Sequence, residues 1–259
     1  MDINVDLVPP HAAHDPSPEA VSKGTRVSLV VDVLRSATAA AMLFDRGVIG
    51  VFVVDGLRVA RRIAAREHAL LIGERDGMPP EGFNLGNSPA ALRRARLEGK
   101  MAVLLAAESP RALAFAAARG RTALVGLNNV VAAADAVCTA EPRQIDVVCA
   151  GLAGAPDLAD VMAAGLLVSL IARNAPRTVN RDVSLHGAAH FCLSVLRMTS
   201  DPLDGLWVSA SGSVLRNSAL EEDLAIASAV GSTDTLPWVT ETEVVDGRRV
   251  IRLSPLPAA

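Results

Sequence analysis

The stretch that decides the fold is Val27-Ser28-Leu29-Val30-Val31-Asp32-Val33-Leu34-Arg35-Ser36-Ala37-Thr38. β-Branched residues dominate its first half and Ala-rich sequence follows Ser36, a pattern typical of a buried strand that passes directly into a helix. Asp32 would then lie at the carboxyl end of the strand, which is where open α/β sheets bind their ligands. Ser36 is expected to cap the helix, whose free N–H groups would favour an anion beside Asp32.

A second polar segment follows an apolar run and reads, from residue 73 to residue 89, GERDGMPPEGFNLGNSP. Glu74 would also lie at the carboxyl end of a strand, so we expect it at the same edge of the sheet as Asp32. Two carboxylates can hold Mg²⁺ there, and Arg35 or Arg75 can bind phosphate or sulfonate oxygens. A structural interpretation stays open, in which Glu74 pairs with one of these arginines and only holds the loop.

The end of the second segment has the signals of a helix start. Ser88 is a predicted N-cap and Pro89 occupies the first helical position. Asn84, Asn87 and Ser88 also offer neutral donors and acceptors that would suit a second anionic group of a ligand. Capping alone would explain the same residues.

Together and in this order, the two segments resemble the 2-phosphosulfolactate phosphatase (ComB) family, whose members carry a VDVLRATT-like segment, then GER, then GFxLGNSP. The positions that match as they stand are Asp32, Leu34, Arg35, Thr38, Gly73, Glu74, Arg75, Gly82, Phe83, Leu85, Gly86, Asn87, Ser88 and Pro89. The resemblance extends over most of the chain and is densest between Val31 and Pro89. Asp160 and Asp182 also fall at positions that are acidic in the family.

The resemblance implies a Mg²⁺-dependent phosphatase that hydrolyses a small phosphorylated hydroxy acid, 2-phosphosulfolactate or a relative, to the hydroxy acid and phosphate. Asp32, Arg35 and Glu74 would be the catalytic residues, and Asp32 and Glu74 would hold the metal. Substrate contacts are expected from Ser36, Thr38, Arg75, Asn84, Asn87, Ser88 and Asn128. Asn128 is either such a contact or a helix cap, because it follows a predicted strand and precedes a predicted helix.

One segment departs from the family pattern. Where the family carries a polar run resembling Thr-Thr-Asn-Gly-Thr, this chain has Ala106-Ala107-Glu108-Ser109-Pro110. The exchange removes hydroxyl and amide groups and adds the carboxylate of Glu108, which would repel a phosphate. Ser109 and Pro110 still make a sound helix start. The protein is therefore either an enzyme with an altered or reduced activity, or a non-catalytic small-anion-binding protein with the family fold and a decayed site.

Composition excludes several classes of protein. With 51% apolar residues, the 259-residue chain can build a sizeable core. A net charge of −3 and the absence of a basic run argue against nucleic-acid binding, and the apolar stretch Val161–Ala172 is too short to span a membrane. Three dispersed cysteines without a visible secretory signal indicate reduced thiols and a cytoplasmic protein. A homo-oligomer is left open.

Alternating strand-like and helix-like runs predict an α/β fold, layered α/β/α with a largely parallel or mixed sheet, in lobes 1–140 and 141–259. The predicted strands are Ile3–Val8, Val27–Val33, Val48–Val54, Ala69–Ile72, Met101–Ala106, Thr122–Leu127, Ile145–Ala150 and Leu206–Ser211. The predicted helices are Ala37–Asp45, Leu57–Glu67, Pro89–Glu98, Pro110–Arg119, Val130–Ala140, Asp157–Arg173, Asp182–Met198 and Ser213–Ala229. A polar connection is expected at His11–Gly24, and a hairpin is expected at Trp238–Leu253 with its turn at Asp246-Gly247.

Three further residues have a spacing that could place metal ligands on one face of a helix. Asp182, His186 and His190 recur every four residues and would share one face of the helix predicted from Asp182. The spacing does not match an HExxH motif, so no zinc site is predicted.

Overall fold

The computed structural model describes residues 1–9, 26–75, 78–178 and 182–255. The strands are β1 (Asp2–Asp6), β2 (Arg26–Val31), β3 (Gly50–Val54), β4 (Leu70–Gly73), β5 (Met101–Leu105), β6 (Arg121–Val125), β7 (Gln144–Cys149), β8 (Ser184–Gly187), β9 (Trp238–Val245) and β10 (Arg248–Ser254). The helices are α1 (Thr38–Asp45), α2 (Leu57–Glu67), α3 (Pro89–Arg94), α4 (Ser109–Ala117), α5 (Val130–Ala140), α6 (Leu158–Thr178), α7 (Ala189–Met198), α8 (Pro202–Val208), α9 (Ala210–Asn217) and α10 (Glu221–Ala227). The connection expected at His11–Gly24 lies outside the described residues.

These strands form one mixed sheet in the order β4-β5-β3-β10-β9-β6-β2-β7-β1-β8. A first group, β4, β5 and β3, is parallel, and so is a second group, β6, β2, β7, β1 and β8. The hairpin β9–β10 joins the groups by antiparallel pairing with β3 and β6. Because the steps β3–β10, β10–β9 and β9–β6 are all antiparallel, the two groups run in opposite directions.

Helices cover both faces of this sheet. On one face, α1 and α4 pack in a single buried cluster that includes Val53 of the first group and Val30 and Leu124 of the second. On the other face, α2 packs against the first group and α5 and α6 pack against the second. The layered α/β/α architecture expected from the sequence is confirmed. The proposed boundary between lobes near residue 140 stays a prediction, and the sheet contains strands from both sides of that position.

The strand and helix alternation between β2 and β7 follows the predicted order. The terminal hairpin is also confirmed, with β9 and β10 turning at Asp246 and Gly247, both of which have positive φ. Its place in the middle of the sheet was not foreseen, because pairing partners distant in sequence leave no local signal.

The structure corrects three predictions after residue 180. The predicted strand Leu206–Ser211 is wrong, because α8 and α9 occupy it. The predicted helix Ser213–Ala229 is interrupted near Ala219, which has a positive φ of 55°. The predicted helix Asp182–Met198 begins only at Ala189, because β8 pairs with β1 before it. Asp182, His186 and His190 therefore do not share a helical face.

Helix α6 is the buried apolar helix expected from the sequence. Its window Leu158–Ala175 is apolar and long enough to cross a membrane, but 61% of the window is buried inside the fold. It packs against α5 and α7, and Gly165 permits the close approach to α7, since a Cβ there would lie 2.3 Å from the Cys192 carbonyl oxygen. These contacts are those of a core helix.

Candidate active site

Asp32 is buried at the end of β2, in contact with hydroxyl groups from two segments. Its side chain is 6% exposed, and its carboxylate accepts hydrogen bonds from the Ser109 hydroxyl, the Ser36 hydroxyl and the Ser36 N–H. Burial raises the pKa of Asp32, and the two serines partly oppose that rise by stabilising the ionised form. The arrangement keeps a carboxylate in a desolvated position.

The chain leaves β2 through a π-type turn, Val33–Ala37, which a hydrogen bond of 2.9 Å closes from the Ala37 N–H to the Asp32 carbonyl. The predicted capping role of Ser36 is wrong, because α1 begins after Ala37 and Ser36 contacts Asp32 instead. The Thr38 hydroxyl donates to the Val33 carbonyl at 2.8 Å. Thr38 is fully buried and holds the turn, whereas Ser36 lies at the Asp32 carboxylate.

Arg35 lies in the same turn and is bracketed by two carboxylates. Its Nη1 is 2.8 Å from Asp223 Oδ2, and its Nη2 is 3.9 Å from Glu74 Oε2. The guanidinium and Asp223 are both buried, while Glu74 is about one-third exposed. Gly73 lets Glu74 reach this position, because its φ is +142° and a Cβ would lie 2.6 Å from the Leu105 carbonyl oxygen. The ion pair of the structural interpretation, between Arg35 and Glu74, is thus present.

Asp160 of α6 lies near Asp32 and holds the Val33–Ala37 turn in place. Its two oxygens accept from the Val33 N–H at 2.9 Å and the Gly151 N–H at 3.0 Å. Burial, and next the Asp32 carboxylate, raise the pKa of Asp160 well above its usual value. Asp160 therefore lies close enough to Asp32 for a charge on Asp32 to disfavour ionisation of Asp160.

The segment that departs from the family forms part of the site. Ser109 donates to Asp32, and the nearby Glu108 carboxylate adds to the rise in the pKa of Asp32. Glu108 is held by the Ala153 N–H, which donates to its Oε1 at 2.9 Å. The expected capping of α4 by Ser109 is wrong, because Ser109 is already helical and Glu108 precedes it without a capping bond.

Two neighbouring polar residues of the loop before α3, Ser88 and Asn87, differ in their hydrogen bonding. Ser88 is the N-cap as predicted, accepting from the Ala91 N–H at 3.3 Å, and it also donates to Asp223 at 2.6 Å. Asn87 is 6% exposed, and its Oδ1 has no hydrogen-bond partner among the described residues. A buried amide oxygen without a partner beside Ser88 is available to a ligand.

Three more residues were expected to contact the substrate, namely Asn84, Arg75 and Asn128. Among the described residues, none of them has a side-chain hydrogen bond to Asp32 or Arg35. Asn84 is exposed, and its Oδ1 accepts from the Leu71 N–H at 2.7 Å, which ties the loop to β4. Arg75 is exposed, and its backbone pairs with Met78. Asn128 lines a cavity of about 530 Å³ that Arg93 and Glu222 also line.

The sequence predicts that Asp32 and Glu74 lie at the same carboxyl edge of a parallel sheet, and the fold does not support that argument. Their strands, β2 and β4, belong to the oppositely directed groups, so they do not share a carboxyl edge of one parallel sheet. Arg35 instead reaches from the turn after β2 to Glu74. Asp223 was missed altogether, because a single acidic residue on a short helix carries no local signal of a contact 188 positions away.

The donor set fits a hard divalent cation. Asp32 lies near Asp160 and Glu108, so several carboxyl oxygens, the ligands that Mg²⁺ prefers, are close to one another here. Within the described residues no His, Cys, Asp and Glu form a complete ligand group of three. Mg²⁺ is usually held by one or two carboxylates together with water and substrate phosphate, so a partial set suits it better than Zn²⁺.

Comparison with known proteins gives the same assignment as the motifs. A family model described as 2-phosphosulpholactate phosphatase matches residues 13–242. A Thermus thermophilus protein named "Probable 2-phosphosulfolactate phosphatase" is 30% identical over 92% of this chain and 94% of its own length. Proteins of the same name from Deinococcus radiodurans, 30% identical over 92% of each chain, and Thermotoga maritima, 32% identical over 58% of this chain and 64% of its own, also match. The chain belongs to the 2-phosphosulfolactate phosphatase family.

Proposed function

We propose that this protein is a Mg²⁺-dependent phosphatase that hydrolyses a small phosphorylated hydroxy acid, 2-phosphosulfolactate or a close relative. The observation that carries the proposal is the buried Asp32 carboxylate at the end of β2, followed in the same turn by Arg35, whose guanidinium pairs with Glu74. Family membership supports the reaction class. The Asn87 Oδ1 atom, which has no partner among the described residues, is an acceptor that suits a hydrogen-bond donor or a metal ion.

Each residue of the cluster has a separate task in this proposal. Asp32 and Glu74 would hold Mg²⁺, and the bound ion would supply charge stabilisation to the phosphoryl group. Ser36 and Ser109 donate to Asp32 and favour its ionised form. Arg35 binds phosphoryl oxygens through a rigid fork of N–H groups, and the substrate's acid groups contact the exposed Arg75 and the Asn87 amide.

Phosphate release from a panel of phosphorylated three- and four-carbon acids, with and without Mg²⁺, tests the proposal. We expect release from at least one acid and a loss of release when Mg²⁺ is chelated. The second candidate is a non-catalytic anion-binding protein with a decayed site, for which the departed segment Ala106–Pro110 is the motivation. Thermal stabilisation by the acids without release of phosphate would select that candidate, and turnover of any acid would reject it.

The three cysteines support the proposed cytoplasmic location. Cys138, Cys149 and Cys192 are buried and form no disulfide. Proteins of reducing compartments keep their thiols in this state. Fractionation of the native host cell would test the location directly.

A further inference from the structure

Asp223 of α10 connects the two segments that carry the site, although no motif includes it. The carboxylate is 1% exposed. One oxygen accepts from Arg35, and the other accepts from the Ser88 hydroxyl at 2.6 Å and the Ala90 N–H at 3.2 Å. The π-type turn and the loop before α3 are thereby joined at a single buried carboxylate.

Stability alone does not account for this contact. Removing an arginine and an aspartate from water costs about as much free energy as their attraction returns, so an apolar pair would serve the core equally well. A buried ion pair does fix direction, because the guanidinium is planar and its donors point along fixed lines. With Nη1 bound to Asp223, Nη2 is left on the side of Glu74, 3.9 Å from Oε2.

The pair also changes the charge that a ligand would meet. A bare buried guanidinium would attract an oxyanion strongly in both the bound state and the transition state. Asp223 offsets that charge, so bound phosphate is held less tightly, while the aligned Nη2 can still contact oxygens that gain charge during the reaction. Interactions that favour the transition state over the bound state raise kcat.

We propose that Asp223 is a positioning residue, which directs Arg35 towards the phosphoryl group and limits the affinity of Arg35 for free phosphate. The inference rests on the proposed function, since it assigns Asp223 a task in that same site. It differs from the structural role of a cap because it predicts a change in kinetics and in anion affinity.

Asp223→Asn tests the inference, because asparagine keeps the shape and an acceptor oxygen but removes the charge. We expect kcat to fall by about tenfold or more, and inorganic phosphate to bind roughly three- to tenfold more tightly. The control is Glu222→Gln, which removes the same charge from the adjacent position of α10. Glu222 is about half exposed and contacts Arg93 and Arg94, so both parameters should be unchanged.

Unchanged kcat and phosphate affinity in a folded Asp223→Asn protein would overturn the inference, as would weaker phosphate binding. If that variant does not fold, Ser88→Ala keeps the buried charge pair and removes one anchor of Asp223. It should then shift both parameters in the same directions by about two- to threefold, and no shift would reject the inference.

The inference and the proposed function fail in distinguishable ways. If the wild-type protein releases phosphate from no acid, the proposed function is wrong, and calorimetric titration with inorganic phosphate still tests Asp223. Tighter phosphate binding by Asp223→Asn than by Glu222→Gln would support the charge-limiting role. Equal affinity in the two variants, or no binding by either, would overturn it.

Discussion

In the proposed function, Asp32 is the side chain on which the reaction would depend most directly. Asp32→Asn keeps the size of the side chain and an oxygen for the Ser109 hydroxyl, but removes the charge that would hold Mg²⁺ or attack phosphorus. We expect turnover of any phosphorylated acid to fall by about a thousandfold or more. Phosphate release at saturating substrate measures the effect, and retention of more than a tenth of the activity would exclude Asp32 as a catalytic residue.

The same variant separates two routes of phosphoryl transfer. Attack by the Asp32 carboxylate would leave a phosphoryl group on the protein, whereas attack by water would not. Rapid acid quenching of the wild-type protein during turnover, followed by mass measurement, detects such an adduct. Its loss in Asp32→Asn would assign it to this residue.

The buried pair Asp32 and Asp160 predicts a dependence of stability on pH. Both pKa values are raised, mainly by burial, so the folded protein binds these protons more tightly than the unfolded chain does. The free energy of unfolding that this pair contributes is therefore complete at acidic pH and is lost as pH rises through the raised pKa values. Asp32→Asn removes one of the two charges, so it should become more stable relative to wild type as pH rises from 5 to 8.

Urea unfolding of both proteins in the presence of a chelator provides the measurement. Added Mg²⁺ should then restore stability to the wild-type protein at pH 8 and leave Asp32→Asn unchanged, because the ion compensates the carboxylate charge. A wild-type protein that gains stability over the variant as pH rises would contradict the assignment of the raised pKa values.

At the scale of elements, we expect the start of α4 to affect how well the site accepts an anion. Glu108 lies beside Asp32 in place of the neutral side chain that the family pattern carries. Replacing the whole segment by Thr-Thr-Asn-Gly-Thr would also remove the Ser109 hydroxyl from Asp32, so a single substitution is the cleaner experiment. Ser109 of this segment donates a hydrogen bond to Asp32, so the segment lies against that carboxylate, and its role as a pocket wall stays a prediction.

Glu108→Asn should strengthen the binding of a phosphorylated acid. Removing one partly exposed like charge is worth about 0.5–1 kcal/mol, which corresponds to roughly two- to fivefold in affinity. The gain should shrink as added salt screens the charge. Calorimetric titration at low and high salt measures it, with Asp135→Asn on the exposed side of α5 as a control for net charge. Equal gains in both variants would show that Glu108 has no local effect.

At the scale of the whole molecule, the hairpin β9–β10 holds the two oppositely directed groups in one sheet. Leu253 of β10 is fully buried in the cluster that contains side chains from both groups. Leu253→Ala should lower the free energy of unfolding by about 2–5 kcal/mol, because it removes buried methyl groups and leaves a cavity. Val244→Ala on the paired strand, where the side chain is 67% exposed, should change it little. Similar losses in the two variants, measured by urea unfolding, would argue against a core role for the hairpin.

The sequence by itself determined the elements between Val27 and Cys149, because strand and helix periodicities are local and the chain there alternates cleanly between them. It also determined the family and, through it, the roles that we expect of Asp32, Arg35 and Glu74. It failed between residues 182 and 229. There β8 is short and largely exposed, and the start of α9 is held by Asp157, which accepts from its first N–H groups.

Only the tertiary structure decided how the polar residues meet. The opposite directions of the two sheet groups depend on the insertion of β9–β10, a pairing between residues far apart in sequence. For the same reason the sequence could not place Asp223 on Arg35 or Ser109 on Asp32. The physical cause is that a hydrogen bond between distant segments depends on packing of the whole chain, whereas propensity and periodicity act only between neighbours.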